Sequence, residues 1–437
     1  MKNSGWTNCR LESFFMLIAR HLHHRLDQAL DAFRVVMVHG PRQSGKTTLA
    51  CLVTERRGGT YTTLDDDATR EAALNDPITF LSETDGLLTV DEIQLGGDRL
   101  VRAIKQLVDT DPTPGRFLLT GSTNFLTVPT ISESLAGRVR VLGLWPLSEA
   151  ELVGHPPCAF DRWFDQPARF GTGLPTLRSR YMELLCRGGY PEIVSMDPLL
   201  RDDWYSSYIE TVTHRDLFEL ADIRRKRAFP SLLLWVAAAT ATEVNITRAA
   251  NDLDIDRSTV MSYLEWLRTV FLIQELPSWS RNFTSRAVRR SKLHVTDTGL
   301  AANLLGVGPE MLAPATARGT GPLLETFAVN EISRQLTASG SRVGMFHYRD
   351  HQKREIDLIL ERRDGAVVAV EVKATASPTL GHLRHVQWLR DKLDSVAPGT
   401  FRAGVLLHTG PQSLTVGDRL HLRPISMLWS TPPESGR

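Results

Sequence analysis

The chain has 437 residues, of which 42% are hydrophobic and 23% are charged. At about 150 residues per domain this length predicts roughly three domains, and the composition excludes a wholly disordered chain. The chain has 51 Lys and Arg residues against 50 Asp and Glu residues, a formal net charge of +1. This balance excludes binding to nucleic acid through bulk charge, but it allows a local basic surface.

The four cysteines are scattered along the chain and form no CxxC pair. They predict neither a zinc site nor a disulfide framework, so we expect a reducing compartment. No apolar run approaches the roughly 18 residues that a membrane-spanning helix needs. We therefore expect a soluble, cytoplasmic protein that does not contact a membrane.

In the first third of the chain, short apolar segments alternate with helical patterns. An amphipathic pattern over residues 12–33 predicts a first helix. Strands are predicted at residues 35–38, 62–64, 87–90 and 117–120, with a candidate fifth strand at 139–144. This alternation is typical of a parallel sheet that is covered by helices on both faces.

The first predicted strand runs into a match to the phosphate-binding motif GxxxxGK[ST], with a helical pattern after it. The residues that would contact a nucleotide are Gly40, Pro41, Arg42, Gln43, Ser44, Gly45, Lys46, Thr47 and Thr48. Backbone N–H groups in such a loop cradle phosphate oxygens, and the helix N-terminus adds its positive dipole end. Lys46 would reach the β- and γ-phosphates, and the Thr47 hydroxyl would bind Mg²⁺. We therefore expect ATP and Mg²⁺ as ligands.

Polar residues also follow later predicted strands. Asp91 would lie beside the metal, and Glu92 would orient a water molecule on the γ-phosphate, which favours hydrolysis over transfer to another acceptor. Asn124 or Ser122 could sense the γ-phosphate, although both residue types also favour capped turns. Arg138 is either a surface arginine or an arginine finger that reaches the γ-phosphate of a neighbouring subunit, in which case the active form is an oligomer.

The middle of the chain is predicted to be helical, with a basic run at residues 224–227. Within residues 245–264 the pattern predicts helix, turn, helix, with Asp256 as the N-cap of the second helix. Its outward residues are Arg257, Ser258, Thr259 and Ser262, and a basic cluster that could hold DNA phosphates follows at Arg281, Arg286, Arg289, Arg290 and Lys292. Acidic residues partly offset this charge, so a packing or protein-binding module stays open as the alternative.

Near the C-terminus, residues 355–373 predict a β-hairpin. Asp357 lies on its first strand, and alternation places Glu371 and Lys373 on one face of the second strand. Glu325 lies on a preceding helix. Acids and a lysine on one sheet face could bind Mg²⁺ and activate a water molecule. The alternative is a salt-bridged strand pair in a domain without catalysis.

Taken together, these motifs resemble the prokaryotic AAA+ ATP-binding proteins, in which an ATPase module precedes a C-terminal domain of unknown function. The segments that carry the resemblance are residues 40–47, 64–66, 90–94, 120–122, 135–138, 144–148, 188–191, 208–216 and 293–300. Glu325, Asp357, Glu371 and Lys373 also resemble the restriction-endonuclease-like D…ExK core.

The resemblance implies an α/β fold of several parts. We expect a P-loop NTPase (AAA+) domain with a parallel sheet at residues 1–150 and a helical lid or linker at 151–235. A winged-helix-like module would follow at 236–290, and a restriction-endonuclease-like α/β domain at 291–437.

The implied activity is that of a Mg²⁺-dependent AAA+ ATPase. We expect ATP hydrolysis coupled to DNA binding or remodelling by a homo-oligomer, which could be a ring. One alternative is a nucleotide-gated switch or scaffold that binds a protein partner. Another is a metal-dependent nuclease that is controlled by ATP.

Overall fold

A computed structural model describes residues 17–123, 135–166, 171–213, 229–282, 284, 286 and 289–430. The chain divides into two units. The first ends at Leu147 and also includes Arg268–Phe271, and the second comprises the other residues from Ser148 onward. Within the described ranges, every helix is too short or too polar to cross a membrane.

The first unit contains a five-stranded sheet in which all neighbouring strands are parallel. Its strands are β1 (Val35–His39), β2 (Thr60–Thr63), β3 (Leu88–Asp91), β4 (Phe117–Gly121) and β5 (Val139–Gly143). Its helices are α1 (Leu22–Ala32), α2 (Lys46–Arg56), α3 (Asp67–Asn75), α4 (Pro77–Ser82) and α5 (Gly97–Thr110), with a short 3₁₀ helix at Ile93–Gly96. The strand order is β2-β3-β4-β1-β5. The predicted parallel sheet is confirmed, including its fifth strand. The first described helix begins at Leu22, and residues 12–16 of the predicted first helix lie outside the described residues.

The central strand β1 explains why helices cover both faces of this sheet. Its side chains alternate between two apolar cores: Val35 and Met37 pack into one core, and Val36 and Val38 pack into the other. All four side chains are fully buried. A parallel strand with no polar face requires a covering layer on each side.

Because all neighbouring strands of this sheet are parallel, their carboxyl ends meet at one edge. The loops that follow β1, β3 and β4 come together there.

The second unit is mixed α/β. Its helices are α6 (Glu149–Leu152), α7 (Asp161–Asp165), α8 (Arg178–Arg187), α9 (Pro198–Thr211), α10 (Phe229–Ala238), α11 (Ile246–Leu253), α12 (Arg257–Thr269), α13 (Thr298–Leu305), α14 (Pro309–Leu312), α15 (Thr320–Ser339) and α16 (Arg384–Val396). Two 3₁₀ helices lie at Leu380–Leu383 and Ile425–Leu428. Its strands are β6 (Thr242–Glu243), β7 (Ile273–Leu276), β8 (Lys292–Val295), β9 (Val343–Arg349), β10 (Glu355–Arg362), β11 (Val367–Lys373), β12 (Phe401–His408), β13 (Leu414–Thr415) and β14 (Leu420–Pro424).

These strands form two sheets. A small antiparallel sheet has the order β6-β8-β7, and a mixed sheet has the order β13-β14-β12-β11-β10-β9. In the mixed sheet β10 is antiparallel to β9 and β11, whereas β11, β12 and β14 run parallel. Leu358 pairs with Val370, so Asp357 and Glu371 are neighbours across the hairpin. The predicted hairpin is therefore confirmed.

The predicted helix, turn, helix is also confirmed as α11 and α12. The Asp256 carboxylate accepts a hydrogen bond from the Thr259 backbone N–H at 2.9 Å, as expected for an N-cap. The side chains of Arg257, Ser258 and Ser262 are exposed on α12. The basic run at residues 224–227 lies outside the described residues.

Candidate nucleotide site and C-terminal acid cluster

The phosphate-binding motif lies between the end of β1 and the start of α2. Gly45 adopts φ 90° and Gln43 adopts φ 62°, which turns the loop backbone sharply before the helix. A Cβ atom at Gly40 would collide with the carbonyl of Leu144. The local geometry therefore requires glycine at positions 40 and 45.

Other motif residues differ in their exposure. Pro41 and Ser44 are buried, Arg42 and Thr48 are half-buried, and Thr47 is exposed. The Ser44 hydroxyl has no hydrogen-bond partner among the described residues. The loop thus has a buried inner side and an open side at the start of α2.

Lys46 is the most deeply placed cation of the loop. Only 5% of the residue is exposed, and its Nζ donates to the carbonyls of Gly40 at 3.1 Å and Pro41 at 2.9 Å. His39 adds no charge near neutral pH, because burial, and then the charge of Lys46, lower its pKa to about 4. The positive charge of Lys46 is therefore held against backbone carbonyls at the mouth of the loop.

Thr47 and Asp91 meet, although they lie on different elements. The Thr47 hydroxyl donates to Asp91 Oδ2 at 2.8 Å, and Asp91 is buried at the end of β3. A hydroxyl and a carboxylate are hard oxygen donors of the kind that Mg²⁺ prefers. The residues present therefore fit the magnesium ion that the motif implies.

Two further residues, whose contacts with Asp91 were not predicted from the sequence, orient its carboxylate. The Tyr61 hydroxyl donates to Asp91 Oδ2 at 2.8 Å, and the Thr120 hydroxyl donates to Oδ1. Burial, and then the charge of Asp91, raise the pKa of Tyr61, so it remains a donor. Because Tyr61 and Thr120 lie on β2 and β4, on either side of β3, the strand order alone would have indicated them.

Glu92 is held in place by its backbone and by its side chain. Its φ of 54° lies in the left-handed region, which costs a residue with a side chain about 1–3 kcal/mol. Its Oε2 accepts hydrogen bonds from Ser122 Oγ at 3.2 Å and from Gln94 Nε2. Gln94 also donates to Ser122 Oγ at 3.2 Å. Ser122 thus lies beside Glu92, while its predicted contact with the γ-phosphate stays a prediction. The contact of Gln94 with Glu92 was not predicted from the sequence.

Arg20 was also missed by the sequence analysis. Its guanidinium donates to the carbonyl of Ser44 at 2.6 Å and to the carbonyl of Trp145 at 2.6 Å. It therefore ties the phosphate-binding loop to the segment that follows β5. No local pattern around Arg20 indicates a contact of such long range.

Arg138 does not lie at the nucleotide site of its own chain. It precedes β5, and Val139 pairs with Val35 at the start of β1, at the opposite edge of the sheet from the loop. Its side chain forms an ion pair with Asp109, with Nε–Oδ1 at 2.5 Å and Nη2–Oδ2 at 3.0 Å. A role for Arg138 in a neighbouring subunit stays a prediction, and Asn124 lies outside the described residues.

In the second unit, six charged side chains form what we call the acid cluster. They are Lys292, Glu325, Glu355, Asp357, Glu371 and Lys373. Lys373 Nζ lies 2.5 Å from Glu371 Oε1 and 3.8 Å from Asp357 Oδ2. The four residues of the predicted endonuclease-like core, Glu325, Asp357, Glu371 and Lys373, are thus brought together.

The sequence pattern placed Lys292 in a basic cluster that could hold DNA phosphates. In the structure it lies in the acid cluster instead. Its side chain is 1% exposed, and its Nζ lies 2.7 Å from Glu325 Oε1, 2.7 Å from Glu355 Oε1 and 3.6 Å from Asp357 Oδ1. Burial lowers the pKa of Lys292, but these carboxylates outweigh that effect and leave the pKa raised.

Arg286, a second member of the predicted DNA-binding cluster, also forms an internal ion pair. Its two terminal nitrogens lie 2.6 and 2.8 Å from the two oxygens of Glu361. An arginine that is engaged in this bidentate pair is not available to phosphates. The predicted basic cluster therefore loses two of its five members, Arg286 and Lys292, to internal ion pairs.

The carboxylates of the acid cluster are poorly compensated. Burial, and then the charge of Asp357, raise the pKa of Glu371 to about 8, and the same two causes raise the pKa of Glu325. Glu371 Oε2 is buried and has no hydrogen-bond partner among the described residues. Within the part of the chain that the structure describes, no group of three or more His, Cys, Asp or Glu side chains is arranged to hold a metal ion. The Mg²⁺ ion predicted here therefore does not fit the cluster as it stands.

A second basic feature lies beside the small sheet. A cavity of about 550 Å³ is lined in part by Trp235, Arg248, Arg290 and Arg349. The indole of Trp235 donates to Asp252 at 3.0 Å, and Arg349 lies 3.6 Å from Glu243. The cavity thus combines an aromatic ring with three arginines and two partly compensating acids.

Three family descriptions match the chain. Residues 32–153 match an AAA domain, residues 178–311 match a domain of unknown function (DUF8612), and residues 320–428 match a domain of unknown function (DUF4143). The AAA match includes the phosphate-binding loop and the residues around Asp91 and Glu92, but not Arg20. The DUF4143 match includes all members of the acid cluster except Lys292.

Several solved structures match parts of this chain at low sequence identity. The Walker-type ATPase PABY2304 of Pyrococcus abyssi has a TM-score of 0.42 at 15% identity, covering 66% of this chain and 96% of that chain. The Holliday junction branch migration motor RuvB of Thermotoga maritima has a TM-score of 0.28 at 17% identity, covering 59% of this chain and 89% of that chain. AMPPCP-bound DnaA from Aquifex aeolicus has a TM-score of 0.28 at 13% identity, covering 56% and 85% of the two chains.

The similarity to whole proteins is greater. An uncharacterized protein of Mycobacterium tuberculosis is 31% identical over 377 residues, which are 84% of this chain and 76% of that protein. An uncharacterized protein of Mycobacterium bovis matches to the same extent. An AAA domain over the nucleotide site and a DUF4143 domain over the acid cluster agree with this match along most of the chain. The chain therefore belongs to the family of prokaryotic AAA-type ATPases in which an AAA domain is followed by a C-terminal DUF4143 domain.

Proposed function

We propose that this protein hydrolyses ATP with Mg²⁺ at the loop of residues 40–48 and couples hydrolysis to the binding or remodelling of DNA by a homo-oligomer. The observation that carries the ATPase proposal is the paired arrangement at the end of β3. Asp91 meets Thr47, and Glu92 is held next to it by Ser122 and Gln94. A metal-binding carboxylate followed by a second carboxylate that can position water is suited to ATP hydrolysis.

Each residue then has a defined task. Lys46 exchanges the carbonyls of its own loop for phosphate oxygens and compensates their charge. Thr47 and Asp91 would hold Mg²⁺, which neutralises charge on the β- and γ-phosphates when bound. Glu92 accepts a proton from the attacking water molecule, and its hydrogen bonds to Ser122 and Gln94 fix the direction in which it points.

Glu92→Gln tests the ATPase proposal. The amide keeps the size of the side chain but cannot accept the proton of water, so we expect kcat for ATP to fall about 10²–10⁴-fold while nucleotide binding persists. Binding is measured by titration with a fluorescent ATP analogue. The matched control is Glu71→Gln, since Glu71 is an exposed acid of the same unit. Unchanged turnover in Glu92→Gln would remove Glu92 from the mechanism.

The DNA proposal is supported by the order of elements around α12. Helix α10, strand β6, helices α11 and α12, and strands β7 and β8 follow each other in the order of a winged-helix domain. In such domains the second helix of the helix-turn-helix enters the major groove of DNA. The exposed Arg257, Ser258 and Ser262 on α12 provide one charged and two polar side chains for that contact.

The cavity beside this module gives further support. Arg248, Arg290 and Arg349 could bind phosphates, and Trp235 provides an aromatic ring on which a base can stack. Arg248 and Arg349 are additional to the predicted basic cluster, which retains Arg290 but loses Arg286 and Lys292 to internal ion pairs. Since Asp252 and Glu243 offset part of the charge, we expect DNA affinity that depends strongly on salt.

The DNA proposal is tested by the ATPase rate in the presence of single-stranded, duplex and branched DNA. We expect DNA to stimulate hydrolysis, and Arg257→Ala combined with Arg290→Ala to weaken binding and to reduce the salt slope of log K by about one per lost phosphate contact. Arg102→Ala is the control, because Arg102 is exposed on α5 in the first unit. A protein that hydrolyses ATP slowly, ignores all three DNAs and co-purifies with a protein partner would instead favour a nucleotide-gated switch.

Oligomer formation is tested by mixing two inactive variants. Lys46→Ala cannot use ATP but retains Arg138, whereas Arg138→Ala retains the loop but lacks the arginine. If Arg138 acts on a neighbouring subunit, an equimolar mixture recovers hydrolysis that neither variant shows alone. Native mass measurement with and without ATP gives the subunit number. Full activity of Arg138→Ala by itself would make Arg138 a surface arginine paired with Asp109.

A further inference from the structure

The acid cluster contains a cation that comes from outside the hairpin. Lys292 begins β8 in the small antiparallel sheet, yet its ammonium group lies among carboxylates of β10 and α15. It contacts Glu325 and Glu355 at 2.7 Å and Asp357 at 3.6 Å. A divalent metal ion in a D…ExK core would compete for the same oxygen atoms, those of Asp357 and Glu325.

The acid cluster contains more carboxylates than ammonium groups. Four carboxylates face two ammonium groups, those of Lys292 and Lys373. Glu371 is 6% exposed, and its Oε2 has no hydrogen-bond partner among the described residues. A buried carboxylate oxygen with no partner is costly, so it indicates a position where a cation would be favourable.

We propose that Lys292 is a built-in cation that takes the place of a divalent metal ion between Glu325 and Asp357, and that it keeps the endonuclease-like acid cluster free of metal. The cluster is then a latent metal site that its own chain has closed. An ammonium group compensates one charge and cannot activate a water molecule as a metal ion does. The endonuclease-like core therefore persists as a structural ion-pair network. This proposal does not depend on ATP hydrolysis.

Removal of Lys292 should therefore open the site. Lys292→Met keeps the length of the side chain without its charge, but it leaves three carboxylates without their shared partner, and it could fail to fold. Lys292→Met combined with Glu355→Gln avoids this problem, because one positive and one negative charge are removed together. Glu355 is the most exposed acid of the cluster, at 37%. The double variant retains Glu325, Asp357, Glu371 and Lys373.

The experiment is calorimetric titration of Mn²⁺ into the nucleotide-free, full-length protein, together with the shift of the melting temperature by Mn²⁺. Each variant is measured with and without an added Glu371→Gln substitution, so that Mn²⁺ bound elsewhere in the chain is subtracted. We expect the wild-type protein to show no Glu371-dependent binding. The double variant should gain one Glu371-dependent site that binds Mn²⁺ at least about tenfold more tightly than the wild-type protein does.

Two controls separate charge from other effects. Lys292→Arg retains a cation and should not bind Mn²⁺ at Glu371. Lys392→Met removes an exposed lysine of α16 and should behave as the wild-type protein does. Wild-type protein that binds Mn²⁺ at a Glu371-dependent site as tightly as the double variant overturns the proposal. A folded double variant without such a site overturns it as well.

Discussion

Two lysines of this chain are buried almost completely, and their surroundings differ in kind. Lys46 is 5% exposed and donates to backbone carbonyls of its own loop, whereas Lys292 is 1% exposed and contacts carboxylates from β10 and α15. A carbonyl dipole offsets an ammonium charge only in part, so Lys46 can exchange its partners for an anionic ligand. Carboxylates neutralise Lys292 in place. Both lysines are buried, so burial does not distinguish them. Their hydrogen-bond partners do: carbonyls leave Lys46 able to bind an anionic ligand, whereas carboxylates use the charge of Lys292 within the protein.

The largest effect is expected at Lys292. Lys292→Met leaves the carboxylates of Glu325, Glu355 and Asp357 without their shared cation, and removal of one partner from a buried ion pair costs about 3–5 kcal/mol. The free energy of unfolding, measured by urea titration, should fall by that amount. Glu355→Gln added to Lys292→Met should recover part of the loss. If Lys292→Met unfolds at the same urea concentration as the wild-type protein, the ion pairs contribute nothing to stability.

Lys46→Ala should show the opposite pattern. We expect ATP hydrolysis to fall about 10²–10³-fold, because a positive charge that stabilises the transferring phosphoryl group is lost. The free energy of unfolding without nucleotide should change little, since the hydrogen bonds from Lys46 to Gly40 and Pro41 end on neutral backbone carbonyls, which are not left as unpaired charges. Steady-state turnover and urea titration on the same samples measure both. A large loss of stability together with intact turnover would reverse the comparison between the two lysines.

The sequence predicted the surroundings of Lys46 but not those of Lys292. Lys46 belongs to a continuous motif between a strand and a helix, so its neighbours in space are its neighbours in the chain. Lys292 follows Arg289 and Arg290, and this local pattern is typical of a basic surface. Its burial depends on contacts with Glu325 and Asp357, which are distant in the sequence.

The same distinction explains what was found and missed elsewhere. Short apolar segments predicted the strands, and the hairpin placed Asp357 beside Glu371. Tyr61 and Arg20 were missed because their partners, Asp91 and the carbonyl of Ser44, lie on other elements. Strand order, which the sequence pattern does not specify, decides the contact between Tyr61 and Asp91.

Gln94 should have a smaller effect than either lysine. It donates to Glu92 Oε2 and to Ser122 Oγ, so we expect it to act by positioning Glu92. Gln94→Ala should lower kcat by about tenfold or less and leave KM for ATP unchanged, as expected when orientation in the transition state is lost. Gln28→Ala is the control, because Gln28 is exposed on α1 and its side chain contacts His24 at a hydrogen-bond distance. A rise in KM at constant kcat would assign Gln94 to nucleotide binding instead.

A pH dependence that arises in the acid cluster should be comparable in size to the effect at Gln94. Burial and the charge of Asp357 raise the pKa of Glu371 to about 8, whereas an unfolded glutamate titrates near its model value of 4.5. Between these two values the folded chain binds the proton and the unfolded chain does not, so the free energy of unfolding falls as the pH rises through about 8. Glu371→Gln cannot titrate, so its melting temperature should fall less steeply between pH 7 and pH 9, by an equivalent of about 1–2 kcal/mol. The window lies above the range of the buried histidines, whose lowered pKa values affect stability only in acid. Equal slopes for the two proteins would mean that Glu371 is ionised throughout this range, and that the two ammonium groups compensate the cluster fully.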